Sequence, residues 1–132
     1  MYASRMSETP NDLLYTRDHE WVRKEEDGTF VVGITYHAQD SLGDVTFVEL
    51  PSIGQSFEAN SIFGVIESVK AASDLLMPVT GEVVAINQDL DDSPEKVNED
   101  PYLSGWMIKV KPDENASESD LLDASAYAAE IS

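Results

Sequence analysis

The sequence predicts a mainly β protein, in which short antiparallel strands form two sheets of a sandwich or flattened barrel. Runs rich in β-branched and aromatic residues alternate with Gly, Pro and Asp-Gly turn signals. Two segments of the chain are near-duplicates, which indicates a pseudo-symmetric fold. The 132 residues allow one modest core, so we expect a single domain over residues 1–132.

The N-terminal region, residues 11–34, is predicted to contain a hairpin. Its β-rich runs at 19–24 and 29–34 are separated by Glu25-Glu-Asp-Gly28, and the Asp-Gly pair favours a tight turn. Residues 37–42 are predicted to form a short helix that ends at Gly43. The following strands are predicted at residues 44–50, 56–57, 61–68, 75–77 and 82–86.

The near-duplicate segments cover residues 50–60 and 77–87. Both contain an apolar residue, Pro, two variable residues and Gly, and both have Asn at the same later position. Pro-x-x-Gly alone would also mark two ordinary turns, but the shared Asn60 and Asn87 favour a repeat. Lys70 lies between the two segments and between two predicted strands.

The remaining elements follow the second repeat. Ser93 and Pro94 have the order of an N-cap and a first helical residue, which predicts a short helix toward Asn98. Residues 105–110 alternate like a strand, so the β core extends over about 29–111. A helical segment is predicted at about 117–131 with a break near Asp123; its signals are a capping box at Ser117 to Asp120 and apolar residues at Leu121, Leu122, Tyr127 and Ile131.

The composition excludes several classes of function. The formal net charge of −18 repels phosphate backbones and anionic lipid, so nucleic acid and membranes are not expected partners. The chain has no cysteine, so sulfur redox chemistry would need an added group. No signal-peptide core precedes residue 14, and no apolar run is long enough to span a membrane, which predicts a cytoplasmic protein.

Lys70 is the residue most clearly presented for chemistry. A lysine amine becomes a nucleophile when burial or a cationic neighbour lowers its pKa, but Glu67 and Asp74 would favour the charged form. The site is therefore expected to be the substrate of a separate enzyme. Small residues at Ala71 and Ala72 leave room for that enzyme, and the competing hypothesis is an enzyme with a lysine nucleophile.

The segment Glu67-Ser-Val-Lys-Ala-Ala-Ser-Asp74, followed by Pro78-Val-Thr-Gly81 and Asn87, resembles the lipoyl-attachment motif of the glycine cleavage system H-protein family. Further blocks resemble the family in the expected order over roughly residues 11–131. They are Tyr15-Thr-Arg-Asp-His-Glu-Trp-Val22, Val32-Gly-Ile-Thr35, residues 38–43, Val97-Asn-Glu-Asp-Pro-Tyr102 and Gly105-Trp106.

The resemblance implies a lipoyl-domain-like fold, the barrel-sandwich hybrid, and lipoic acid joined to Lys70 by an amide. Recognition around the attachment site is then assigned to Glu67, Ser68, Val69, Ala71 and Asp74. The family carries the aminomethyl group left after glycine decarboxylation and is not itself a catalyst. The implied partners are a pyridoxal-phosphate glycine decarboxylase, a tetrahydrofolate-dependent aminomethyltransferase, dihydrolipoamide dehydrogenase and a lipoyl-attaching enzyme.

The resemblance also draws attention to His19 and Glu20. Related H proteins shelter the loaded arm in a surface cleft, where Glu20 would bind its cationic amine. The alternative is that Glu20 is a solvated strand residue and that His19 packs or caps locally. His19 and His37 lack a zinc-site spacing, so no metal site is expected.

Other carriers fit the sequence less well. A biotin carrier would have methionine beside the lysine, whereas Val69 and Ala71 flank Lys70. A lipoyl domain of a 2-oxoacid dehydrogenase would usually have Asp before the lysine and would lack the blocks around Trp21 and Pro101. A protein that donates its lipoyl group to other lipoyl-dependent enzymes remains the alternative function.

Overall fold

A computed structural model describes residues 9–131 and contains two antiparallel sheets. The strands are β1 Leu14–Tyr15, β2 Glu20–Lys24, β3 Phe30–Ile34, β4 Val45–Glu49, β5 Ser56–Phe57, β6 Ile62–Ser68, β7 Ala72–Leu76, β8 Gly81–Ile86 and β9 Ile108–Pro112. The helices are α1 Tyr36–Leu42, α2 Asp89–Asp92, α3 Lys96–Glu99 and α4 Ala124–Ile131.

One sheet has the order β1-β2-β3-β9-β8-β5 and the other has the order β4-β6-β7. The prediction of a mainly β fold with two antiparallel sheets is confirmed, and neither sheet closes on itself within the described residues. Side chains from both sheets meet in one core cluster, including Val32 and Ile108 on one side and Val48, Ile66 and Leu75 on the other. The sheets therefore pack face to face, which places the three-stranded sheet and its hairpin on one side of the molecule.

The local signals near the N-terminus predict the structure well. Gly28 has φ +89° in the turn between β2 and β3, a conformation that favours glycine. Thr35 caps α1, because its hydroxyl accepts a hydrogen bond from the Ala38 N–H (3.1 Å). Gly43 ends that helix with φ +80°.

Gly64 permits a close approach between β6 and β4. A Cβ at this position would collide with the carbonyl oxygen of Glu49, and the register of β6 shifts between Ile62 and Gly64. The bulge and the close backbone approach that a strand glycine suggests are both found here. Glycine at position 64 thus allows β4 to pair closely with β6, the first strand of the hairpin that carries Lys70.

The two repeats pair with each other. Ser56 lies opposite Glu82 and Phe57 lies opposite Gly81, in an antiparallel ladder between β5 and β8. The ladder continues where the Val83 N–H donates to the Gln55 C=O (2.8 Å). Val83 is the repeat equivalent of Ser56, and Glu82 that of Gln55, so the contacts of residue 56 with 82 and of residue 55 with 83 exchange under a pseudo-two-fold axis.

Three predictions in the C-terminal half need correction. Ser93 is not a helix cap: it follows α2, which the sequence analysis missed, and α3 begins at Lys96 without a side-chain cap. The strand predicted at 105–110 begins at Ile108, because Gly105 belongs to a turn in which its N–H donates to the Asp100 C=O (2.8 Å). Strand β7 begins at Ala72 rather than at residue 75.

The C-terminal helix also begins later than predicted. The hydroxyl of Ser117 bonds Ser119 within a turn and caps no helix. Asp123 takes that role, because its carboxylate accepts the Ala126 N–H (2.8 Å) ahead of α4. Leu122 precedes the helix and pairs with Tyr15 through two backbone hydrogen bonds of 2.7 and 2.8 Å.

A second core cluster joins the N-terminal strands to α4. Trp21 and Tyr15 are fully buried there, and the Tyr15 ring stacks on Tyr127 with centroids 4.6 Å apart. His19, which directly precedes β2, lies against this cluster with its Nδ1 2.8 Å from the Tyr127 hydroxyl. The division into one domain with an N-terminal hairpin region, a β core and a C-terminal segment stays a prediction. None of the described helices has the length and apolar composition needed to cross a bilayer.

Candidate functional site

Lys70 lies in an exposed turn between β6 and β7, as the sequence predicts for the tip of a hairpin. The Ser68 N–H donates to the Ala71 C=O (2.7 Å), and the Ser68 hydroxyl accepts the Ala71 N–H (3.1 Å). Serine suits this position because its hydroxyl satisfies turn amides that have no ladder partner. Val69 is 70 % exposed, so the turn projects both Val69 and Lys70 outward.

The turn rests on the segment that joins α1 to β4. The Val69 N–H donates to the Asp44 C=O (3.0 Å). The Lys70 side chain passes Gly43, where an added Cβ would lie 3.4 Å from the Lys70 Cε. The segment thus supports both the backbone of the turn and the stem of the lysine.

The two acidic residues of the attachment segment lie at different places. Glu67 is exposed beside the turn, and its carbonyl accepts the Thr46 hydroxyl (3.3 Å). Asp74 lies along β7 and lines a cleft. Among the described residues neither carboxylate forms an ion pair with Lys70, so the amine is presented without a fixed partner.

A cleft of about 250 Å³ lies between α1, β7 and the start of β2. Both predicted cleft residues, His19 and Glu20, line it. Leu42 lines the same cleft and directly precedes Gly43, the residue against which the Lys70 stem lies. Strand β7 runs about 13 Å over four residue steps from the tip toward Leu76, whose amide reaches Glu20. The remaining lining residues are Asp18, Ile34, His37, Ala38, Ser41, Ile66, Ser73, Asp74 and Leu75.

Glu20 is buried in the wall of this cleft, with 2 % of its surface exposed. It is therefore not a solvated strand residue. Its carboxylate accepts the Thr16 hydroxyl (2.6 Å) and the Leu76 N–H (3.3 Å). A carboxylate has about four acceptor sites, so these two bonds leave capacity for a ligand. Burial raises the pKa of Glu20 to about 7, and the two hydrogen bonds oppose that rise.

Because the pKa of Glu20 is raised, the unfolding free energy of the wild type should depend on pH in a way that Glu20→Gln abolishes. The folded state binds the Glu20 proton more tightly than the unfolded state, whose pKa is near 4.5. The stabilisation is present at pH 4.5 and below and is lost as the pH rises through about 7. From pH 4.5 to 8 the unfolding free energy of the wild type should fall by roughly 3 kcal/mol relative to that of the neutral variant.

Urea unfolding of both proteins across that pH range measures the difference, in which all other titrations cancel. Glu49→Gln, at an exposed strand position, provides the control for losing a carboxylate. Parallel curves for the wild type and Glu20→Gln would show that Glu20 titrates normally in the folded chain.

His19 adopts a left-handed conformation, with φ +74°, immediately before β2. Its Nδ1 lies 2.8 Å from the Tyr127 hydroxyl, which also contacts the Thr35 hydroxyl at 2.8 Å. Burial lowers the pKa of His19, and repulsion from His37 lowers it further. The two imidazole centroids are 4.9 Å apart. His19 is thus both packed locally and exposed to the cleft.

Sequence reasoning missed the role of α1 in forming the cleft. His37, Ala38, Ser41 and Leu42 all line it. Their spacing of one, three and four residues is that of one helical face, which could have been read from the sequence. The sequence could not show that this face of α1 lies across a cleft from residues 18–20, because that arrangement depends on how the two sheets pack.

Other features of the structure do not coincide with the predicted site. A cavity of about 800 Å³ is lined by Tyr36, Asn98, Tyr102 and their neighbours and by none of the predicted site residues. Within residues 9–131 no three His, Cys, Asp or Glu side chains lie close enough to hold a metal ion. The exposed turn and the adjacent cleft are therefore the candidate site.

Comparison with known proteins points to the same family that the sequence resembles, over almost the whole chain. Residues 13–132 match the model of the family described as glycine cleavage H-protein. A glycine cleavage system H protein from Klebsiella pneumoniae is 54 % identical, covering 94 % of this chain and 96 % of the relative. One from Idiomarina loihiensis is 56 % identical, covering 96 % and 98 %.

The fold agrees with a solved structure as well. The crystal structure of a glycine cleavage system H protein from Mycobacterium marinum matches with a TM-score of 0.84 and 40 % identity. The match covers 92 % of this chain and 98 % of that protein. The chain belongs to the glycine cleavage H-protein family.

Proposed function

We propose that the chain is the lipoyl carrier of a glycine cleavage system and that Lys70 is its attachment site. The observation that carries this proposal is the position of Lys70, in an exposed turn. Among the described residues the Lys70 amine forms no ion pair, and its stem lies against Gly43, next to the cleft residue Leu42. A carrier needs an amine that a second protein can reach and a surface along which the attached arm can lie.

The residues present fit an amide-linked lipoyl group. Acylation replaces an N–H bond of the neutral Lys70 amine with a bond to the lipoyl carboxyl carbon, and the activating group leaves that carbon. The lipoyl-attaching enzyme would remove the proton, because among the described residues no base is bonded to Lys70. We assign Glu67, Ser68, Val69, Ala71 and Asp74 to recognition of this segment, with Ser68 holding the turn in shape.

When bound, the lipoyl disulfide supplies the group transfer and redox chemistry, by which the aminomethyl group passes from the decarboxylase to the aminomethyltransferase and the dithiol is reoxidised by dihydrolipoamide dehydrogenase. This chain would contribute attachment, reach and shelter, and no catalysis of its own. Its charge of −18 would steer it toward basic surfaces on these partners in the cytoplasm.

The cleft would shelter the loaded end of the arm. Glu20 is the candidate partner for a cationic amine, because it is a buried carboxyl with unused acceptor capacity. An opposite charge in the cleft would lower the raised pKa of Glu20 and favour the carboxylate. His19 and His37, held close together, would also line the shelter.

Two measurements test the proposal. The intact mass of the chain from its lipoate-supplied host should include a lipoyl or octanoyl adduct on Lys70, and the lipoylated chain should support exchange of carbon dioxide into glycine by the decarboxylase. An unmodified Lys70 would overturn the attachment site. A lipoylated chain without exchange would overturn the role in glycine cleavage and favour the alternative, a donor of lipoyl groups to other enzymes.

A further inference from the structure

The side chain of Asn98 connects three points around the start of β4. Its Nδ2 donates to the carbonyl of Gly43 (2.9 Å) and to the side-chain oxygen of Gln39 (2.9 Å). Its Oδ1 accepts the Val45 N–H (2.8 Å). Both donors of the half-buried Asn98 amide and its oxygen are thus used.

These hydrogen bonds hold the segment on which the Lys70 turn rests. Gly43 and Val45 flank Asp44, whose carbonyl accepts the Val69 N–H (3.0 Å). Gly43 also lies against the stem of Lys70. Asn98 itself is held in place because the preceding Val97 is fully buried in the core. A continuous path therefore leads from the core through Asn98 and Asp44 to the turn.

We propose that Asn98 is a positioning residue for modification of Lys70, which it does not touch. It fixes residues 43–45 and so holds the turn in the conformation that an acylating enzyme meets. This inference rests on the proposed attachment of the lipoyl group at Lys70. Only asparagine has the required pattern at this size, because aspartate would place a charged acceptor against two other acceptors, Gly43 C=O and Gln39 Oε1.

The chain contains a matched control. Asn87 also donates two hydrogen bonds through its Nδ2, in this case to the backbone carbonyls of Ser104 (2.9 Å) and Trp106 (2.8 Å). Its oxygen faces the Asp89 N–H (3.3 Å). Asn87→Asp therefore removes two amide donor bonds, as Asn98→Asp does, without affecting any bond to residues 43–45.

The experiment compares lipoylation of the full-length unmodified chain by a lipoate ligase, with lipoate and ATP. Asn98→Asp should lower the kcat/KM for the chain by about tenfold, which corresponds to the loss of one to two hydrogen bonds. Amide hydrogen exchange at Val69 should become faster, while the Ser68 N–H, which is bonded inside the turn, should keep its protection. Asn87→Asp should change neither quantity more than about twofold at a comparable loss of thermal stability.

Equal losses of kcat/KM in both variants would overturn the proposal, because they would reflect stability alone. The proposal would also be overturned if Asn98→Asp changed neither the kcat/KM for lipoylation nor the amide hydrogen exchange rate at Val69. If Asn98→Asp does not fold, the milder Asn98→Ser is compared with Asn87→Ser by the same two measurements. A wild-type chain that the ligase never modifies would instead overturn attachment at Lys70, while Val69 exchange would still report on the positioning role.

Discussion

Lys70→Arg should leave the chain without a lipoyl group and should abolish its support of glycine decarboxylation. Arginine keeps the positive charge and the long stem of lysine, so the fold and the exposed turn should persist. Its guanidinium remains protonated at any accessible pH and offers no nucleophilic amine, so an amide cannot form. Intact mass and glycine to carbon dioxide exchange measure the two consequences.

Lys111→Arg is the matched control for this result, because Lys111 is an exposed lysine on β9 away from the turn. It should be lipoylated at the wild-type rate and support normal exchange. Both variants should unfold at the wild-type temperature. An adduct that persists in Lys70→Arg would place the attachment site on another lysine, and it would refute the assignment of the hairpin.

The elements that the sequence predicts correctly are those set by neighbouring residues. Asp27 and Gly28 form a tight turn because glycine accepts φ +89°, whatever surrounds it. Thr35 and Gly43 bound α1 because a capping hydroxyl and a left-handed glycine act within one helical turn. The position of Lys70 at a hairpin tip follows from the two strands beside it in the chain.

The errors arise where residues with a local signal find their partners elsewhere. Ser93 and Ser117 both precede plausible helices, yet neither caps one in the structure. The chain around Ser117 leads to Leu122, which pairs with Tyr15, and that pairing delays the helix until Asp123. A long-range contact thus decides where a short helix begins, which sequence patterns of this length do not encode.

The repeat shows the same limit within one motif. Asn60 and Asn87 occupy equivalent positions, but Asn60 is an exposed turn residue with φ +71°. Asn87 is buried and bonds the carbonyls of residues 104 and 106. The two segments pair through β5 and β8, but the role of each asparagine depends on the segment packed against it. Asn98 was not recognised for the same reason.

Glu20→Gln should shorten the lifetime of the aminomethyl-loaded arm, because it removes the carboxylate that we assign to the cationic amine. Glutamine has nearly the same shape, so the cleft should keep its volume and the fold its stability at acid pH. A hydrogen bond between two charged groups contributes about 1.5–3 kcal/mol, so ammonia release should accelerate roughly 10- to 100-fold. The measurement is the rate of ammonia release from the isolated loaded protein, without the aminomethyltransferase.

Glu49→Gln controls for the loss of one negative charge outside the cleft, and it should release ammonia at the wild-type rate. The acceleration should also be imitated in the wild type by lowering the pH, because protonation of Glu20 removes the same charge. That effect should appear below pH 7, since a bound cation holds the pKa of Glu20 lower than the value of about 7 in the empty cleft. If Glu20→Gln and the wild type release ammonia at the same rate, the burial of Glu20 serves the fold alone, and shelter of the arm must come from other cleft residues.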